Sequence, residues 1–163
     1  MAPPADLAED FFVSEVDLTV REFLGEYGCV RRGRLATIVL VHTADHFWHF
    51  HPGQRAGSKS EADFRKYLSV AHPEFRLLCD VANASKHAIL RGKQQPLLTS
   101  ADQVAQRSLG WGEATWGEGR WDGPPQVVVT LNDGVVRILE GPIRECHAMW
   151  CKMFAVALPE LPA

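Results

Sequence analysis

Apolar residues recur along this chain at helical spacing. Phe12, Val16, Val20, Phe23 and Tyr27 lie three and four apart, so a helix is predicted from about 5 to 27, with Gly28 as its stop. From about 31 to 50 the chain starts apolar nearly all round, with Leu35, Ile38, Val39, Leu40 and Val41. That predicts a central helix packed on several sides, ended by His51-Pro52-Gly53. A polar loop over 53–59 follows, and Ser60 with Asp63 three residues on marks the next helix start. The helical pattern continues to about Leu90, but His72-Pro73 interrupts it, because proline lacks an amide and its ring clashes with the preceding turn. A short helix and then a second one, from about 73 to 90, are expected.

The pattern changes beyond Gly92. Residues 108–123 hold five glycines with Trp111, Trp116 and Trp121, which predicts irregular strand and turn with the tryptophans packing a small sheet. Residues 126–131 and 135–139 flank Asn132-Asp133-Gly134 and read as a β-hairpin with glycine at its left-handed position. Pro142 opens a last amphipathic helix offering Ile143, Cys146, Met149 or Trp150, Met153 and Leu158 to a core. The predicted fold is mainly α: a bundle of four or five helices with a small β-hairpin sheet inserted before the C-terminal helix. It forms one domain over 1–163, divided into a helical bundle (1–92), a hairpin region (108–140) and a final helix (142–158).

Composition narrows the function classes. The 163 residues are 46% hydrophobic and 23% charged, an ordinary globular balance, and the formal charge of -3 gives no overall basic field for nucleic acid. Arg31, Arg32 and Arg34 form the tight basic cluster, read as a solvated helix end with acidic partners in the first segment, from Glu9 to Glu26. Four cysteines without C-x-x-C spacing argue against a thiolate zinc site and for a reduced setting. The start lacks the basic and then apolar order of a signal region, and no run is long enough to span a bilayer, so a cytoplasmic protein is expected. A homodimer is left open.

Candidate chemistry concentrates on two segments. Residues four and seven apart share a helix face, so His42, His46 and His49 form a stripe; extended backward it meets Val39 and Leu35, which predicts that the stripe is buried. With Asp45 one step round, these imidazoles are a workable ligand set for zinc or iron. In the second segment Arg76, Asp80, Asn83 and His87 line one edge of their helix. The small residues Ala82, Ala84, Ser85 and Ala88 would let that edge approach the histidine stripe. Cys79 points about a quarter-turn away from the edge and is set aside as a nucleophile, while His147 has only an amphipathic surface context.

The segment Cys79-Asp-Val-Ala-Asn-Ala-Ser-Lys-His87, preceded by a helix bearing Asp45-His46-Phe47-Trp48, resembles an uncharacterised group of bacterial helical proteins and, more distantly, the HEPN superfamily. The likeness covers roughly residues 5 to 95. It implies a helical fold and, in active members, metal-independent RNA cleavage by an arginine, often followed by a polar residue, and a histidine four to six residues on. Asn83 and His87 match the last two, whereas Ala82 stands where the arginine would be. Cleavage would then rest on His87 as acid/base and Asn83 as its positioner, with charge from Arg76 or Lys86; Arg76 lies about 16 Å from His87 along a helix axis. The expectation is a divergent HEPN-like domain binding RNA or a protein partner in a defence or stress setting. The alternatives are a zinc- or iron-dependent bundle enzyme built on the histidine stripe, and an interaction protein whose polar network fixes helix register.

Overall fold

The structure, a computed structural model, describes residues 6–87, 89–90, 96–110 and 123–163. Ala88 and the three tryptophans Trp111, Trp116 and Trp121 lie outside the described residues. The fold is mainly α, with a small antiparallel sheet placed before the C-terminal helix.

The first predicted helix is a rod of three consecutive segments: α1 (Leu7–Phe11), a π turn (Phe12–Val16) and α2 (Asp17–Leu24). Asp6 starts it, its Oδ1 accepting from the amides of Ala8 and Glu9 at 3.1 and 3.2 Å. Beyond a turn at 25–28 runs α3 (Val30–Phe50), followed by α4 (Glu61–Ala71) and α5 (Pro73–His87). Ser60 caps α4 by accepting from the Asp63 amide, and Pro73 separates α4 from α5 as its ring chemistry requires. The last helix, α6 (Glu140–Phe154), begins two residues before Pro142 and ends at Ala155, which adopts the left-handed conformation (φ 56°).

Among the described residues three strands, not two, make the sheet. β1 (Val104–Arg107), β2 (Gln126–Thr130) and β3 (Val136–Ile138) pair antiparallel in the order β1-β2-β3, with Val104 opposite Val129 and Val128 opposite Ile138. As the central strand, β2 buries Gln126, Val127, Val128 and Val129, hence its unbroken apolar run. Gly134 takes φ +86° in the β2–β3 turn, the conformation that favours glycine.

At the centre, α3 packs against α1, α2, α4, α5 and α6. Its core line is Ala36, Leu40, Thr43, Ala44 and Phe47. This corrects the expected phase: the line through Leu35, Val39, His42, His46 and His49 is the flank of α3, with Leu35 41% exposed. Because the first half of α3 is apolar all round, neighbours decide which line goes inward. The decisive neighbours are aromatic. Phe47 meets Phe64, Trp150 and Phe154 with ring centroids 5.2 to 5.9 Å apart, and the indole N–H of Trp150 donates to the Leu40 carbonyl at 3.0 Å. Gly33 permits a close crossing, since a Cβ there would lie 3.1 Å from both Leu139 and Phe23.

Of the arginine cluster, Arg32 pairs with Glu26 at 2.8 Å as expected, whereas Arg34 donates to the carbonyls of Ala101 and Val104 and so ties α3 to β1. Among the described residues, no helix is long and apolar enough to cross a membrane.

Candidate functional site on the α3–α4–α5 face

The histidine stripe projects from α3 toward α4 and α5 and is partly open to solvent: the side chains of His42 and His49 are 44% and 56% exposed. Each ring engages a different neighbour. Lys86 Nζ of α5 lies 2.8 Å from His42 Nε2, and an ammonium has only protons to offer, so Nε2 accepts. The ring proton is then on Nδ1, which faces Asp45 Oδ2 at 3.4 Å. Arg65 of α4 donates to the other oxygen of Asp45. Lys86, His42, Asp45 and Arg65 therefore form one chain of alternating donors and acceptors across three helices.

His49 Nε2 sits 2.8 Å from Glu61 Oε1 in the first turn of α4. His46 turns the other way and stacks flat on Phe11 of α1, with centroids 4.0 Å apart and planes 4° from parallel. Burial there pushes the His46 pKa below its ordinary value; His42 and His49 push the same way, and Asp45 opposes them. Asp45, His46, His49 and Phe50 line an open depression of about 510 Å³. A larger depression, about 620 Å³, lies between residues 25–30, Gln106 and Pro124–Pro125, away from this cluster.

The zinc or iron alternative finds no support in this geometry. Among the described residues, no group of three or more His, Cys, Asp or Glu side chains is arranged to hold a metal ion. The three imidazoles share a helix flank without converging, because Lys86, Phe11 and Glu61 each take one of them.

The second segment also differs from expectation. Arg76, Asn83 and His87 form an exposed edge of α5 instead of the buried polar edge expected. Asp80 is half-buried, and its Oδ2 accepts from the Leu97 amide at 2.8 Å, tying α5 to the segment before β1. Burial raises the Asp80 pKa, with the Leu97 amide and Arg76 pulling it down. Lys86, about 100° round the helix from His87, meets the histidine stripe of α3 through His42. Ala82, which stands where the HEPN resemblance would call for an arginine, is buried at 1% exposure against the core. Cys79 is mostly enclosed, 3.9 Å from Ser69 Oγ, and burial pushes its thiol up to about 11.

Another polar cluster escaped the sequence reading. His147 of α6 is buried at 4%, not on an amphipathic surface, and its Nε2 lies 2.8 Å from Oδ1 of Asp17, itself 5% exposed. Asp17 Oδ2 accepts from Arg21 Nε at 2.8 Å, and Cys151 Sγ lies 3.7 Å from His147 Nδ1. The one signal in the sequence was the four-residue spacing of His147 and Cys151; Asp17 is 130 positions away. Comparison with known proteins returns no matching family model, no matching curated protein and no matching solved structure.

Proposed function

We propose that this chain is a HEPN-like helical domain that binds single-stranded RNA on the α3–α4–α5 face, in keeping with the defence or stress role that the resemblance implies. The observation that carries this reading is the contact of Lys86 with His42, 2.8 Å between nitrogens, with Arg65 across Asp45 beside it. Lys86, Arg65 and the His42 and His49 imidazoles thereby share one open face with the carboxylates of Asp45 and Glu61. Cations of this kind hold phosphates in register, and Phe50, 46% exposed at the rim of the depression, offers a ring on which a base can stack. Binding is favoured over cleavage because Ala82 stands where the arginine that stabilises a phosphorane would be, and Asn83 and His87 lie on a separate, exposed edge.

The test is fluorescence polarisation with a labelled mixed-sequence single-stranded RNA at low salt, comparing the native chain with the Lys86→Gln/Arg65→Gln double variant. A loss of about tenfold in affinity, ~1.4 kcal/mol, is expected. Unchanged affinity in the double variant, or no binding by the native chain, overturns the reading. Incubation with total RNA and chelator tests the cleaving form: cleavage that is lost in His87→Ala would replace binding by catalysis. A second reading rests on Arg65 and His49 already being paired with Asp45 and Glu61: the network then fixes the register of α3, α4 and α5 for a protein partner.

A further inference from the structure

The cluster of Asp17, His147 and Cys151 is separate from the α3–α4–α5 face and has the connectivity of a carboxylate, imidazole and nucleophile relay. His147 and Cys151 are one turn apart on α6, so their side chains share a face, with Sγ 3.7 Å from Nδ1. Asp17 occupies the far side of the ring and receives the Nε2 proton at 2.8 Å. With that proton committed, Nδ1 presents a lone pair to the thiol. Arg21 holds the second carboxylate oxygen, and the Phe12 ring lies 5.4 Å from the imidazole, so the ring has little freedom to turn. The π turn over Phe12–Val16 ends where the buried Asp17 begins, and such turns recur at functional sites.

We propose that Cys151 is a base-activated thiol that reduces small hydroperoxides and becomes a sulfenic acid, with His147 as the proton carrier and Asp17 as its positioning residue. A sulfur lone pair attacks the terminal peroxide oxygen and the O–O bond breaks. The thiol proton passes to His147 Nδ1 and from there to the departing oxygen, which leaves as water or an alcohol. Sulfur loses two electrons and the peroxide gains them, and the Asp17 carboxylate stabilises the transient imidazolium. Burial pushes the thiol up and the imidazole down, so both rest neutral, the state from which a general base works.

A hydroperoxide fits better than a carbonyl substrate. Acyl transfer needs donors for an oxyanion, and the nearby amides of Ala155 and Val156 already donate to the carbonyls of Lys152 and Cys151. Peroxide attack needs only the nucleophile and a proton carrier. Cys151 is partly exposed, so the substrate in question is a small hydroperoxide and not a bulky one. A metal is not the fit, because the imidazole stands between the other two groups and uses both nitrogens on them.

The experiment exposes the folded full chain to limiting hydrogen peroxide, traps sulfenic acid with dimedone and measures each cysteine by peptide mass spectrometry. Cys151 should be modified about tenfold faster in the folded chain than in the same chain unfolded in concentrated urea, and faster than Cys29 and Cys79. Its rate should change little between pH 8 and 7, where an unassisted thiolate slows about tenfold. The charged groups acting on the pair are Asp17 and Arg21, both from α2. His147→Gln should remove the advantage, and Asp17→Asn should restore the steep pH profile. A folded rate equal to or below the unfolded one overturns the proposal without recourse to a variant, and so does an unchanged rate in folded His147→Gln.

Discussion

Replacing His147 by Phe tests the buried pair directly. Phenylalanine keeps the ring volume and the contact with Phe12 but deletes the 2.8 Å hydrogen bond to Asp17. A hydrogen bond to a charged acceptor contributes about 1.5–3 kcal/mol, and stranding an isolated buried charge costs about 3–5 kcal/mol. Asp17 keeps Arg21 as a partner, so the smaller figure applies and a loss of about 2 kcal/mol at pH 7.5 is expected. For a chain of this size that lowers Tm by about 4–8 °C.

The cost should shrink in acid. An unfolded chain protonates its histidines near pH 6.5, while burial in the fold pushes His147 below that value and outweighs the opposing pull of Asp17. Below about pH 6.5 the unfolded state therefore binds more protons, and native stability falls as the pH drops, levelling off once the folded imidazole protonates. His46 contributes in the same direction. Urea titrations of both proteins at pH 7.5 and 5.5 would show the difference narrowing toward acid. A cost that grows at pH 5.5 would refute the reasoning, because it would mean that Asp17 holds His147 as an imidazolium in the fold.

Two further substitutions probe the scaffold. In Gly28→Ala the new Cβ would lie 2.4 Å from the Pro125 carbonyl oxygen, so main chain must move; urea titration should register a loss of about 1–3 kcal/mol. Asp6→Ala removes the cap of α1 and the carboxylate oxygen 2.9 Å from His51 Nε2, and should cost about 1 kcal/mol, with faster amide exchange at Ala8 and Glu9.

Helix existence was legible because period and punctuation are local. The Pro73 break follows from the proline itself, and the Gly134 turn from the conformation it must adopt. The phase of α3 was not legible: a helix that starts apolar all round hides which line faces inward until Phe64, Trp150 and Phe154 arrive from elsewhere in the chain. β1 was missed because four residues, Val-Ala-Gln-Arg, carry no alternation strong enough to mark a strand. Between the two polar segments, the contact on the α3–α4–α5 face is made by Lys86 with His42, a pairing that the spacing of neither edge singled out. His147 read as surface because amphipathic patterns count every histidine as polar, and Asp17, its partner, comes from the opposite end of the sequence.

The tail after α6 is held in part by arginines of two helices. Arg21 donates to the carbonyls of Pro159 and Glu160, and Arg144 to that of Pro162. What the arginines grip is main chain, which every residue type provides, so this part of the attachment does not depend on the tail's own side chains, whereas Val156, Leu158 and Leu161 add a second hold by packing against the core. The polar half of the attachment is recorded in the two arginines, and substitutions there would loosen a segment whose own sequence had not changed.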